Sequence, residues 1–283
     1  MRPALALTWL VLAGSAGVTT QSQIFSSKVE AVRVDVLVTN KGRPVRGLQP
    51  ADFEVLDNGV PQQVDLISFD EIPLNLVFVF DMSKSVVGER LEHLREGART
   101  VLSGLTRQDQ AGLVMFGENI VRGSDLTANL EQVRTALKQD GSRGETALID
   151  AVYTGMMMGE SDVGRSLLIV FSDGVDTGSF LSPDVMLDTA KRSDVVAYAV
   201  VAGGSRRIPF LRDLSEVTGG TFYDAGTAQN LGATFVKILD EFRQRYLVSY
   251  SPRDVPGQGW HRLEVRVKGR GLDVKARSGY VAP

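Results

Sequence analysis

The stretch Leu74-Asn75-Leu76-Val77-Phe78-Val79-Phe80-Asp81-Met82-Ser83-Lys84-Ser85 decides how this chain folds. Up to Phe80 it is almost continuously apolar, the pattern of a central strand in a parallel sheet covered on both faces. It then runs out into a carboxylate and two hydroxyls. Beyond the turn, Val87, Leu91, Leu94, Ala98, Val101, Leu102 and Leu105 recur at helical spacing, so a helix with one apolar face follows the strand. The alternation continues with a strand at 111–116, helices at 130–137 and 147–158, a strand at 166–171, a helix at 183–192, a strand at 195–201, a helix at 209–217, a short strand at 221–223 and a helix at 231–246. Strands alternating with helices predict an α/β fold built on a doubly wound, mainly parallel sheet.

Both flanks of this region read differently. Upstream, Val32, Val34, Val36 and Val38 alternate with Arg33, Asp35 and Thr39, the period of a half-buried strand. Phe53-Glu54-Val55-Leu56 leads through Asp57-Asn58-Gly59, a two-residue hairpin signal, to a second strand at 64–69. Downstream, short alternating strands at 247–250, 263–267 and 272–274 are punctuated by Pro252, Gly257, Gly269 and Gly271. The simplest organisation is one small antiparallel β unit formed by both flanks, 25–72 and 246–283, with an α/β domain at 73–245 inserted into it. Arg2, the apolar run from Ala4 to Ala13 and the small residues Gly14, Ser15, Ala16 and Gly17 predict a signal peptide within residues 1–20. Cleavage after Ala16 or near Thr20 fits. The mature chain is then expected to be exported, periplasmic or extracellular, with no membrane span after signal cleavage.

Composition narrows the chemistry. The 283 residues include no cysteine and two histidines, His93 and His261. That excludes disulfides, thiolate nucleophiles, zinc-thiolate sites and histidine-rich metal sites. A formal charge of −3 provides no field for a phosphate backbone, so nucleic acid is not an expected partner.

Ligands of an open α/β sheet bind beyond the carboxyl ends of its strands. Three segments reach that edge. The first strand ends in Asp81-Met82-Ser83-Lys84-Ser85, a later one ends in Ser172-Asp173-Gly174, and Gly144-Glu145-Thr146-Ala147-Leu148 supplies a hydroxyl just before a helix. Asp81, Ser83, Ser85, Thr146 and Asp173 together offer two carboxylates and three hydroxyls, all hard oxygen donors. Such a set suits a small hard cation that keeps several waters. Mg2+ fits best, with Mn2+ or Ca2+ behind it.

This Asp-x-Ser-x-Ser pattern with a later Thr and a later Asp resembles the metal-ion-dependent adhesion site (MIDAS) of the von Willebrand factor type A (VWA) domain family. The resemblance covers 73–245 and implies a VWA/Rossmann-like fold. It also implies that Ser83, Ser85 and Thr146 bind the ion directly or nearly so, while Asp81 and Asp173 act partly through water. A carboxylate from a protein partner, an Asp or Glu, would fill the open coordination position. The flanks resemble those of secreted bacterial proteins of the same kind, in particular an acidobacterial-type group. On this reading the protein is a non-catalytic, adhesion-type binding module.

Two alternatives stay open at this level. One is a Mg-dependent phosphatase-like hydrolase with Asp81 as nucleophile, although Ser83 stands where such enzymes carry a second aspartate. The other is a scaffold with a vestigial metal site. Individually, Ser83, Ser85 and Thr146 could each cap a following helix, and Asp173 could be an ordinary turn residue. Asp150 and Asp176 read as solvated carboxylates. Met156-Met157-Met158 reads as core filling, and His93 and Lys84 as solvent-facing. Arg243, Arg245 and the pair Arg206-Arg207 read as surface charge.

Overall fold

A computed structural model of the chain describes residues 31–68, 72–140, 144–161, 163–202, 208–255, 257–269 and 271–282. The expected signal peptide and the pair Arg206-Arg207 lie outside the described residues. Before the central sheet come strands β1 (Val32–Asn40), β2 (Arg43–Pro44), β3 (Phe53–Asp57), β4 (Val60–Gln62) and β5 (Leu66–Ser68). The α/β region then runs β6 (Leu74–Asp81), α1 (Glu89–Ser103), β7 (Gln110–Phe116), β8 (Ile120–Thr127), α2 (Leu130–Ala136), α3 (Leu148–Gly159) and β9 (Arg165–Phe171). It continues with α4 (Pro183–Ala190), β10 (Val196–Val201), α5 (Pro209–Val217), β11 (Phe222–Asp224) and α6 (Leu231–Arg243). Strands β12 (Tyr246–Tyr250), β13 (Gly259–Val267), β14 (Asp273–Lys275) and β15 (Gly279–Ala282) follow.

The central sheet has the order β11-β10-β9-β6-β7-β8. All its pairings are parallel except that of β8 with β7. Successive residues of β6 serve two cores. Leu76, Phe78 and Phe80 pack with α1, α2 and α6, while Val77 and Val79 pack with α3, α4 and α5. That double burial is why β6 reads as a solid apolar run. Gly155 lets α3 lie close, since a methyl there would collide with the Val79 side chain.

From β6 the chain crosses to β7 on one side and later to β9 on the other. The carboxyl ends of β6 and β9 therefore border a topological switch point, where such sheets hold ligands.

Strands from before and after the α/β region form two sheets. One has the order β14-β1-β12-β5 with β2 on β1, the other β15-β13-β3-β4. Each mixes strands from before and after the α/β region, and their facing side chains share one core around Val36, Phe53, Tyr246 and Tyr250. The Asn58-Gly59 turn has φ of 49° and 82°, the paired left-handed conformation that a two-residue hairpin needs. Among the described residues no helix is long and apolar enough to cross a membrane.

Several elements differ from the sequence expectation. Helix α1 starts at Glu89, and Val87 lies before it, 57% exposed. Gly88, at φ 62°, turns the chain there and releases Val87 from the helical face. Strand β8 falls in a stretch read as having no element, because Arg122, Gly123 and Asp125 blur its alternation and its register with β7 shifts twice. Arg245 is the largest departure. Expected at the surface, it is fully buried, with its guanidinium on the Tyr198 hydroxyl and on backbone carbonyls. Arg243, also read as solvated, pairs with the buried Asp109 at 2.7 Å.

Candidate metal centre

The end of β6 carries Asp81 into the sheet edge, where its side chain is fully buried. Its Oδ1 accepts from the Ser83 backbone N–H at 2.9 Å, and its Oδ2 accepts from the Ser172 hydroxyl at 2.7 Å. A backbone bond from Val86 N–H to the Ser83 carbonyl tightens the next turn. The turn brings the hydroxyls of Ser83 and Ser85 to 3.1 Å of each other. Ser85 Oγ in turn donates to Asp173 Oδ1 at 2.7 Å. Ser83, Ser85 and Asp173 thus form a chain of side-chain oxygens across the ends of β6 and β9, and Asp81 is tied to it through the Ser83 backbone N–H.

Thr146 joins from the third loop. Its N–H donates to Thr177 Oγ1 at 3.0 Å, and its carbonyl accepts from the N–H groups of Thr177 and Gly178. A Cβ added at Gly174, the residue after Asp173, would come within 3.8 Å of Thr146 Oγ1, so the hydroxyl lies against the Asp173-Gly174 turn. Neither α1 nor α3 has a side-chain cap hydrogen bond from its N-cap residue. The Ser83, Ser85 and Thr146 hydroxyls are therefore not spent on helix capping. Of the two helices, α3 is closed instead by groups from the loop after β9. Ile149 N–H donates to Asp176 Oδ1 and to Ser179 Oγ, and Asp150 N–H to Ser179 Oγ.

Asp150 and Asp176, read from sequence as solvated, are thus structural. Asp150 accepts the N–H groups of Phe180 and Leu181, each at 2.9 Å, and Asp176 also accepts the Ser179 hydroxyl. Two further residues of the cluster escaped the sequence reading. Ser172 holds Asp81. Arg90, on the first turn of α1, pairs with Asp173 Oδ2 and reaches the Ser85 carbonyl at 3.3 Å. Ser172 stands beside Asp173 in the quoted motif, but nothing in sequence says that its hydroxyl turns toward Asp81. Lys84 is exposed between the two serines, as expected.

Arg90 already balances Asp173, and among the described residues Asp81 has no cationic partner. Burial raises Asp81 above the ordinary carboxylate value, and the neighbouring charge of Asp173 raises it further, while the hydrogen bonds from Ser83 and Ser172 pull it partly back. The side chain of Asp173 is itself only 4% exposed. Two buried carboxylates with hydroxyls between them make a hard, oxygen-only donor set. Among the described residues no group of three or more histidine or carboxylate side chains converges as a metal site. A cation here would rely on neutral hydroxyls for most of its protein contacts. The residues present fit Mg2+, Mn2+ or Ca2+ and do not fit a soft metal.

A family model described as von Willebrand factor type A domain matches residues 75–237. The chain belongs to that family. The five expected residues all lie within the matched VWA segment. The chain is 23% identical over 200 residues to inter-alpha-trypsin inhibitor heavy chain H6 of Homo sapiens, a match covering 61% of this chain and 15% of that protein. It is 32% identical over 116 residues to heavy chain H1 of Sus scrofa, covering 36% of this chain and 13% of the relative. The matches thus span only a small part of these relatives' length. Among solved structures, proximal thread matrix protein 1 from the mussel byssus, with a zinc-occupied MIDAS motif, superposes with a TM-score of 0.56 at 16% identity. That match covers 67% of this chain and 50% of the mussel protein. The protein BatB from Bacteroides thetaiotaomicron superposes with a TM-score of 0.50 at 12% identity, over 60% of this chain and 98% of its own. At these identities the structural likeness establishes the VWA fold alone.

Proposed function

We propose that this VWA protein is an exported, non-catalytic protein-binding module of the adhesion type. In this reading a divalent cation held by Asp81, Ser83, Ser85, Thr146 and Asp173 coordinates a carboxylate, an Asp or Glu, of a protein partner. Mg2+ is the ion the donor set favours, with Mn2+ or Ca2+ able to replace it. The observation that carries the reading is the run of side-chain oxygens through Ser83, Ser85 and Asp173, with Asp81 held to it by the Ser83 N–H, which takes in hydroxyls that neither α1 nor α3 uses as a cap. The mussel protein, whose MIDAS motif holds zinc, supports it by analogy. Export rests on the apolar run and small residues of the signal peptide, and the proposed division into flanks 25–72 and 246–283 around 73–245 rests on the change of sequence period.

Neutral hydroxyls leave a bound cation more electrophilic toward an incoming anion than carboxylates would. That chemistry suits capture of a carboxylate. Hydrolysis through Asp81 is disfavoured by its surroundings, because the side chain is fully buried and both oxygens already accept hydrogen bonds. A nucleophile must reach its substrate.

Acetate is a sufficient probe for the open position. With Mn2+ bound, the methyl protons of acetate relax faster in the presence of the wild-type protein than with free Mn2+, and Asp81→Ala or a chelator abolishes the effect. A protein that binds Mn2+ through these residues but leaves acetate relaxation unchanged contradicts the carboxylate reading.

A further inference from the structure

The loop after β9 presents one side chain to solvent without reserve. Phe180 is 99% exposed. Its backbone is held firmly, since Asp150 accepts its N–H and that of Leu181. Two residues earlier, Gly178 N–H is bound to the Thr146 carbonyl. The loop therefore holds the ring outward from an anchored frame that also carries Thr146 and Asp173. Scattered exposed apolar residues are ordinary. An aromatic ring left wholly in water, on an anchored loop that also carries Asp173, is a position open to a partner. Val175, next to Gly174 on the same loop, is 49% exposed, and Val87, between Ser85 and α1, rises from the neighbouring loop.

Charge on this face does not select a partner by its field. Lys84 carries an exposed positive charge on the β6 side, where Arg90 is already paired with Asp173, while Glu118 and Glu145 are exposed on the Thr146 side. The positive half complements an acidic group. The apolar residues complement something else. Resting on the proposed metal-bridged function, we infer that Phe180, with Val175 and Val87, is the specificity contact of this surface, and that the partner is a protein loop whose Asp or Glu is followed closely by a large apolar side chain. The acid is taken at the oxygen cluster next to Lys84, and the apolar group covers the Phe180 ring. Because the loop is already ordered, little conformational freedom is lost on docking.

Short cyclic peptides from a random phage-displayed library, selected on the wild-type protein in Mn2+, test this. The enriched sequences carry Asp or Glu with Phe, Trp, Leu, Ile or Met a few positions away. Phe180→Ser weakens a selected synthetic peptide roughly tenfold to hundredfold, as loss of one buried aromatic contact implies. Its melting temperature stays at the wild-type value, because the ring covers no core. Asp81→Ala and chelator abolish binding. Acidic peptides without apolar neighbours, or peptides that bind Phe180→Ser as tightly as wild type in a chelator-sensitive way, overturn this inference and leave the metal reading intact. Peptides that need Phe180 but ignore chelator and Asp81→Ala overturn the metal reading instead, and a library that yields no enriched peptide contradicts both.

Discussion

Replacing Asp57 with alanine lowers the free energy of unfolding by about 3–5 kcal/mol, the usual result of removing one partner from a buried charged cluster. Asp57 ends β3 and is fully buried. One oxygen faces His261 Nδ1 at 2.8 Å, and the other accepts the hydroxyls of Tyr250 at 2.8 Å and Tyr280 at 2.9 Å. His261 Nε2 faces the Gly257 carbonyl at 3.2 Å. These groups come from β3, β12, β13 and β15, so the carboxylate ties the two flanking sheets together. Burial, and then Asp57 itself, hold both tyrosine hydroxyls well above their ordinary value, which keeps them as donors. Alanine leaves the buried Tyr250 hydroxyl and the His261 ring without the carboxylate they share, and a buried group left unpaired costs roughly 1–3 kcal/mol. Whole domains are stable by only about 5–15 kcal/mol, so the loss is a large share. Asp57→Asn costs less, because its amide oxygen still accepts. Urea unfolding followed by circular dichroism reads the difference, and a loss below about 1 kcal/mol for Asp57→Ala would show that the cluster contributes little.

Arg245→Met is the second large effect, about 2–4 kcal/mol, because it strips several buried acceptors of their donor. The guanidinium donates to the Tyr198 hydroxyl from Nε at 3.1 Å and Nη2 at 2.9 Å, to the Gly219 carbonyl at 2.6 Å and to the Asp35 carbonyl at 3.3 Å. Tyr198 and Tyr223 both donate to Glu241, at 2.9 and 2.6 Å. Arg165, beside it, donates to the Arg245 carbonyl at 3.3 Å and through Nε to Asp35 at 2.7 Å. This network fastens the end of α6 to β1, β9 and β10, where the VWA fold meets the flanking strands. Methionine matches the stem but leaves Glu241 without its nearby cation, and the Gly219 and Asp35 carbonyls lose their guanidinium donor. Arg245→Lys does not rescue, since an ammonium cannot reproduce the planar fork. The double variant with Glu241→Gln is less destabilised than the sum of the single changes, with a coupling above about 0.5 kcal/mol. Additivity in denaturant unfolding, or a stable Arg245→Met, would contradict a shared network.

The parallel sheet was legible because β6 states its own environment, with apolar residues on both faces and oxygen donors at its end. The candidate site was legible for a related reason. Its residues sit on loops directly after or before readable elements, so Asp81, Ser83, Ser85, Thr146 and Asp173 could be placed at one edge without coordinates. Arg245 could not be placed. Its partners lie 26, 47 and 210 residues away, and no local pattern distinguishes it from a solvated arginine. Asp150 and Asp176 were misread for the same reason, because the backbone N–H groups they accept lie 27 to 31 residues away. Strand β8 was lost because an edge strand with one exposed face carries few of the apolar residues by which strands are recognised.

Thermal unfolding of wild type and Asp81→Asn, each in chelator and in saturating Mg2+ or Mn2+, tests the cation site most directly. Because burial raises Asp81 above its unfolded value, the group adds most stability below the ordinary carboxylate range and loses it as pH rises through the raised value. Without a cation, the ionised form of this buried carboxylate is a burden that the amide removes. In chelator, Asp81→Asn melts at or above wild type. A cation reverses the balance, since ligand at about 100 times its Kd stabilises the folded state by roughly 2.7 kcal/mol. Wild type then melts well above its own value in chelator, Asp81→Asn does not move, and the order of the two proteins inverts. A wild type that melts at the same temperature in chelator and in saturating Mg2+, Mn2+ and Ca2+, or an Asp81→Asn that gains as much as wild type, would contradict a metal centre at the end of β6.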